Sequence, residues 1–145
     1  MRDTSGTNDD DTVHLPADAT AVRLARRYVD DLLSRRGWGE PDWFAAQVAV
    51  SELVANAVVH APGRITLRLR LDDELRIEVT DDHPVAPVHP ASHRAGEVGG
   101  MGLRVVDRLC RDWGVDRREG AKTVWCRLAP HPAWSGGEGA ATASR

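Results

Sequence analysis

The sequence lacks most of what would place a protein quickly. Two cysteines in 145 residues, Cys110 and Cys126, are too few for a disulfide scaffold and suit reduced thiols. A basic excess is missing too. Lys+Arg number 19 against 22 Asp+Glu, a formal net charge of -3, whereas binding a phosphate backbone needs a basic surface. No apolar run approaches the length of a membrane span, and the opening MRDTSGTNDDD is polar and acidic, unlike a signal peptide or an anchor. Lysine is nearly absent: Lys122 is the only one, which reads as codon bias toward GC-rich DNA and not as function. The expectation is a cytoplasmic protein that touches neither nucleic acid nor membrane.

What is present suits one globular domain, with 41% hydrophobic residues over a length that can bury a core. The ends, 1–11 and 131–145, read as disordered tails, the second rich in Gly, Ala and Ser. The domain then covers 12–130. TVHLP (12–16) predicts a short edge strand. Asp18 is placed to cap a helix in which Ala21, Val22, Ala25, Val29, Leu32 and Leu33 recur at helical spacing, and Gly37 suits its C-terminal cap. A second helix opens at Glu40-Pro41-Asp42 and must end by Ala61, ahead of Pro62-Gly63. RITLRLRL (64–71) and ELRIEVTD (74–81) both alternate apolar with polar, as in an antiparallel hairpin with one buried face. Residues 82–99 carry no clean period and form a long loop. A helix from about Gly102 to Cys110 and strands over 113–118 and 122–128 complete the chain. This order predicts an α+β fold: a two-layer α/β sandwich, its mixed, mainly antiparallel sheet carrying helices on one face.

Three features ask for more than structure. Glu52, Asn56 and His60 fall at i, i+4 and i+8 of the second helix, on one face of an otherwise apolar segment. They form either a narrow solvated stripe or the wall of a cleft. In a cleft, Asn56 would offer an oxygen to Mg²⁺ and Glu52 would act as a base or orient a water. Asp81 shares the inward phase of Leu75, Ile77 and Val79, so the strand's buried face ends in a carboxylate. Such a group either starts a turn with Asp82-His83-Pro84 or accepts a hydrogen bond from a ligand amino group. Finally, Gly96, Gly99, Gly100 and Gly102 lead into a helix, either as a flexible connector or as a loop whose N–H groups face an anion. His83, His89 and His93 lack the companions of a zinc site, and Trp38, Trp43, Trp113 and Trp125 suit core or interface anchoring.

Taken in order, ELVANAVVHA (52–61), VTD (79–81) and GGMGL (99–103) resemble the ATP-binding domain shared by gyrase, heat-shock chaperones, histidine kinases and mismatch-repair ATPases. Within that superfamily the likeness is greatest to the small anti-sigma-factor serine kinases of the RsbW and SpoIIAB type, over about residues 12–130. A sensor kinase, a gyrase or a chaperone would need further domains, so an isolated regulator is expected. The resemblance implies ATP and Mg²⁺ as cofactors, a sigma factor and an anti-sigma-factor antagonist as partners, and a family habit of homodimerisation. It implies roles as well. Glu52 is the general base, Asn56 the Mg²⁺ ligand and Asp81 the acceptor for the adenine amino group. Gly100, Met101, Gly102 and Leu103 lie against the phosphates, and 82–99 is the lid. One departure stands out: the family's Asp-x-Gly-x-Gly is here Asp81-Asp82-His83-Pro84-Val85, without a glycine. That departure motivates an alternative, a non-catalytic nucleotide-binding or protein-interaction module. The family's late-strand threonine has Thr123 as its nearest counterpart, but Thr123 is out of phase with Val124, Cys126 and Leu128 and is left out of the site.

Overall fold

A computed structural model describes residues 9–60, 63–82 and 100–130. The elements run β1 (Asp9–Leu15), α1 (Thr20–Arg36), α2 (Glu40–His60), β2 (Ile65–Leu71), β3 (Leu75–Asp81), α3 (Gly100–Leu109), β4 (Asp112–Arg118) and β5 (Ala121–Leu128). The five strands form one sheet in the order β1-β2-β3-β5-β4, and every pairing is antiparallel. Among the described residues no helix is long and apolar enough to cross a membrane.

The period-two pattern places the sheet. Ile65, Leu67, Leu69 and Leu71 of β2 are buried beside Leu75, Ile77 and Val79 of β3 and Val124, Cys126 and Leu128 of β5. The alternate residues, among them Arg68, Arg70, Arg76, Glu78, Trp125 and Arg127, form the other face, with the Arg76 guanidinium 4.4 Å from the centre of the Trp125 ring. The helices cover the apolar face. α1 buries Ala21, Ala25, Val29, Leu32 and Leu33, all at helical spacing, and packs on α2 and β1. α2 buries Ala46, Ala49, Val50, Leu53, Val54 and Ala57 and lies against α1, α3 and three strands. Each large aliphatic chain removed from water is worth about 1.5–3 kcal/mol, so this single layer of helices on one sheet face makes up the core.

Local signals explain the boundaries. Gly37 ends α1 in the left-handed region (φ 73°), and the Trp38 N–H reaches the Leu33 carbonyl at 3.2 Å. Asp18 acts one residue before the capping position. Ala19 is the N-cap and makes no side-chain bond, while the Asp18 carboxylate accepts from the Thr20 N–H at 2.8 Å. Two elements begin two or more residues earlier than the sequence pattern predicts. β1 starts at Asp9, inside the expected tail, because an edge strand needs only backbone pairing with β2; Arg35 of α1 also binds Asp11 at 2.8 Å. α3 starts at Gly100, so Gly100 and Gly102 lie in its first turn and not in a preceding loop. The expected lid, apart from Asp82, lies outside the described residues, as do Gly96, Gly99, the three loop histidines and the C-terminal tail.

Candidate functional site

α2 carries the first two site residues one turn apart. Asn56 is 1% exposed, and neither its Oδ1 nor its Nδ2 has a hydrogen-bond partner among the described residues. A buried amide left in that state costs about 1–3 kcal/mol. A core position selected only for packing would hold an apolar residue, so this side chain fits a hard cation or polar ligand supplied from outside the chain.

Glu52, one turn earlier, is only partly buried. Burial raises its carboxyl above the ordinary range, and the nearby Arg26 guanidinium opposes that rise. Arg26 is itself held by α2, since its Nε donates to the Ser51 hydroxyl at 2.7 Å and that hydroxyl donates to the Gln47 carbonyl at 2.7 Å. The seam continues to Asp30 of α1, which accepts from the Trp43 indole at 2.6 Å and from the Gln47 amide. Polar contacts between α1 and α2 thus fix the rotation of α2 and the direction in which Glu52 and Asn56 point. His60 ends α2, and its side chain is outside the described residues.

Asp81 closes β3. Its neighbours across the sheet are Ile65 on β2 and Lys122 on β5, and it is 1% exposed. Lys122 is 0% exposed, and its Nζ stands 3.3 Å from Asp81 Oδ2. The predicted inward phase of Asp81 holds, and the carboxylate of the next residue, Asp82, accepts from the Arg64 N–H at 2.9 Å; the turn expected to follow them lies outside the described residues. Lys122 is the residue the sequence reading missed. Its signal was available: it shares the phase of Val124, Cys126 and Leu128, so a lone lysine in a buried register had to find a counter-charge. Thr123 faces the other side of the sheet, where its hydroxyl lies 2.7 Å from that of Thr80.

Gly100, Met101, Gly102 and Leu103 form the first turn of α3, and α3 packs on α2. The fold therefore gathers the predicted positions on three adjoining elements: the inner face of α2, the end of β3 and the start of α3. Such a set offers a half-buried carboxyl, an amide with unspent bonding capacity, a carboxylate at a sheet end and a helix N-terminus. That is the equipment for binding an anionic ligand with a polar ring and for moving a proton beside it.

Residues 15–128 match the histidine kinase-like ATPase domain family. The serine-protein kinase RsbW of Staphylococcus epidermidis is 30% identical over 126 residues, covering 74% of this chain and 79% of that protein. The serine-protein kinase RsbW of Listeria innocua is 27% identical over 130 residues, covering 78% of this chain and 83% of that one. Among solved structures, the RsbU and RsbW domains of Rv1364c from Mycobacterium tuberculosis superpose with a TM-score of 0.60 at 21% identity, covering 84% of this chain and 32% of that one, a likeness of fold. The match spans most of the sequence, so the chain belongs to the histidine kinase-like ATPase domain family, and these curated relatives are RsbW serine-protein kinases.

Proposed function

We propose that this protein is an ATP-dependent serine/threonine protein kinase that acts as an anti-sigma factor, regulating transcription by switching between a sigma factor and an antagonist that it phosphorylates. The observation that carries the reading is Asn56: a buried amide with both polar atoms unsatisfied among the described residues, one turn from a carboxyl held above its ordinary range. In this reading Asn56 holds Mg²⁺ through Oδ1, and Mg²⁺ supplies charge neutralisation on the phosphates. Asp81 accepts from the adenine amino group. The α3 backbone from Gly100 to Leu103 faces the phosphates, where the glycines allow close approach.

Glu52 takes the proton from the acceptor serine hydroxyl. A raised carboxyl is a stronger base than an ordinary one, and general-base help of this kind is worth about 10²–10⁴-fold. Arg26 limits the rise. The kinase reading fits the RsbW relatives better than a non-catalytic module does, despite the glycine-free segment after Asp81.

Incubation with γ-labelled ATP and a panel of candidate antagonists tests it. The expected result is label on a serine or threonine of one antagonist, with Glu52→Ala retaining nucleotide binding and losing transfer. Absence of transfer to every partner at saturating ATP would overturn kinase activity.

A further inference from the structure

Lys122 is the chain's only lysine and its side chain is wholly out of water. It sits directly opposite Asp81 in the β3–β5 register, with Nζ 3.3 Å from Oδ2. The contact is an ion pair without hydrogen-bond alignment: among the described residues, Nζ has no hydrogen-bond partner. An ammonium carries three donors, and leaving them unspent in a buried place is expensive. Packing does not explain the choice, since a methionine would fill similar space without a charge. The paired charges also differ in kind. An ionised carboxylate is an acceptor only, and an ammonium is a donor only. Side by side on neighbouring strands, they present an acceptor next to a donor.

We propose that Lys122 is a specificity-determining residue of the base pocket, its ammonium donating to a ring nitrogen of the nucleotide while it fixes the Asp81 carboxylate beside it as the acceptor. The proposal rests on the nucleotide reading above and deepens it. The edge of adenine offers an amino donor beside the N1 acceptor, which complements a carboxylate beside an ammonium. Hypoxanthine and guanine offer the reverse, a carbonyl oxygen beside an N1–H. Against this pair each of their groups meets one of its own kind, and the low local dielectric makes that mismatch costly. Asp81 alone could rotate away from a carbonyl. Asp81 tied to Lys122 cannot do so without giving up a buried ion pair.

Calorimetry with Mg²⁺ tests this on the intact chain, using ATP, inosine triphosphate and 1-deaza-ATP, in which a C–H replaces the N1 acceptor. Wild-type protein is expected to bind 1-deaza-ATP about tenfold or more weakly than ATP, and inosine triphosphate more weakly still. In Lys122→Met, with folding checked by circular dichroism, both gaps should collapse to within about twofold to threefold. A purely structural lysine would lower all three affinities together and leave the ratios as they were, and that result overturns the assignment. If Lys122→Met does not fold, the wild-type comparison decides alone, because equal affinity for ATP and 1-deaza-ATP also overturns it. Failure of wild-type protein to bind ATP at all is a separate outcome, which removes the nucleotide reading and this proposal together.

Discussion

Asp81 and Lys122 face each other across β3 and β5 with charged atoms 3.3 Å apart, at 1% and 0% exposure. Removing one member of such a pair strands the other charge in the core, at about 3–5 kcal/mol. Urea unfolding of Lys122→Met should show a loss of that order. Asp81→Leu combined with Lys122→Met should regain most of it, because two apolar side chains leave no orphan charge. A double variant as unstable as the sum of the two single ones would mean that the pair is not coupled.

Glu52 supplies a prediction with a definite sign. Its carboxyl is raised in the folded state, mainly by burial and against the pull of Arg26. The folded chain thus holds that proton more tightly than the unfolded chain. Its contribution is favourable below the unfolded value, about 4.3, and is lost as pH rises through the folded one. Glu52→Gln has no charge to bury, so it should be more stable than wild type at neutral pH and converge with it on acidification. Melting curves across that range read the effect, and an advantage that grew at low pH would contradict the raised carboxyl.

If Glu52 is the base proposed above, the same carboxyl sets the acid limb of the phosphotransfer profile. Transfer should rise with pH as Glu52 ionises. Arg26→Met removes the group that lowers it and should displace the limb to higher pH. A limb that stays in place would argue that another group is the base.

Asn56 should trade stability against ligand binding. Asn56→Leu replaces an unsatisfied buried amide with an apolar side chain, so unfolding without nucleotide should become harder by about 1 kcal/mol or more. Binding of Mg-ATP should be lost in the same variant. A variant less stable than wild type would identify the amide as structural.

Gly114 is a packing constraint against Trp125, on the sheet face opposite the buried core. A Cβ there would stand 2.7 Å from the Trp125 ring, so Gly114→Ala must move the indole and loosen its stack under Arg76. The expected cost is about 1–3 kcal/mol, accompanied by a change in tryptophan fluorescence and no change in nucleotide affinity.

Much of this architecture was legible from periodicity alone. β2 and β3 alternate so regularly that their register follows from which residues must leave water, and Asp81 inherits its inward direction from that rhythm. α1 shows its buried face at helical spacing, and Gly37 marks its end because that position needs a left-handed backbone. The start of β1 was not legible. Its acidic residues look like a tail, and they become a strand through backbone bonds to β2, which side-chain pattern does not encode. Nor was the start of α3, since glycine is a poor helix former whose place here goes with the packing of α3 on α2.

The order of elements, the inward acid and the polar stripe of α2 belong to the chain as a string, because burial imposes periods of two and 3.6 residues that can be read without coordinates. The pairing of β3 with β5, 41 residues apart from Asp81 to Lys122, does not. Strand order is a long-range choice made by the whole packed core, and it alone turned a lysine that looked like an accident of composition into the counter-charge of the site's buried acid.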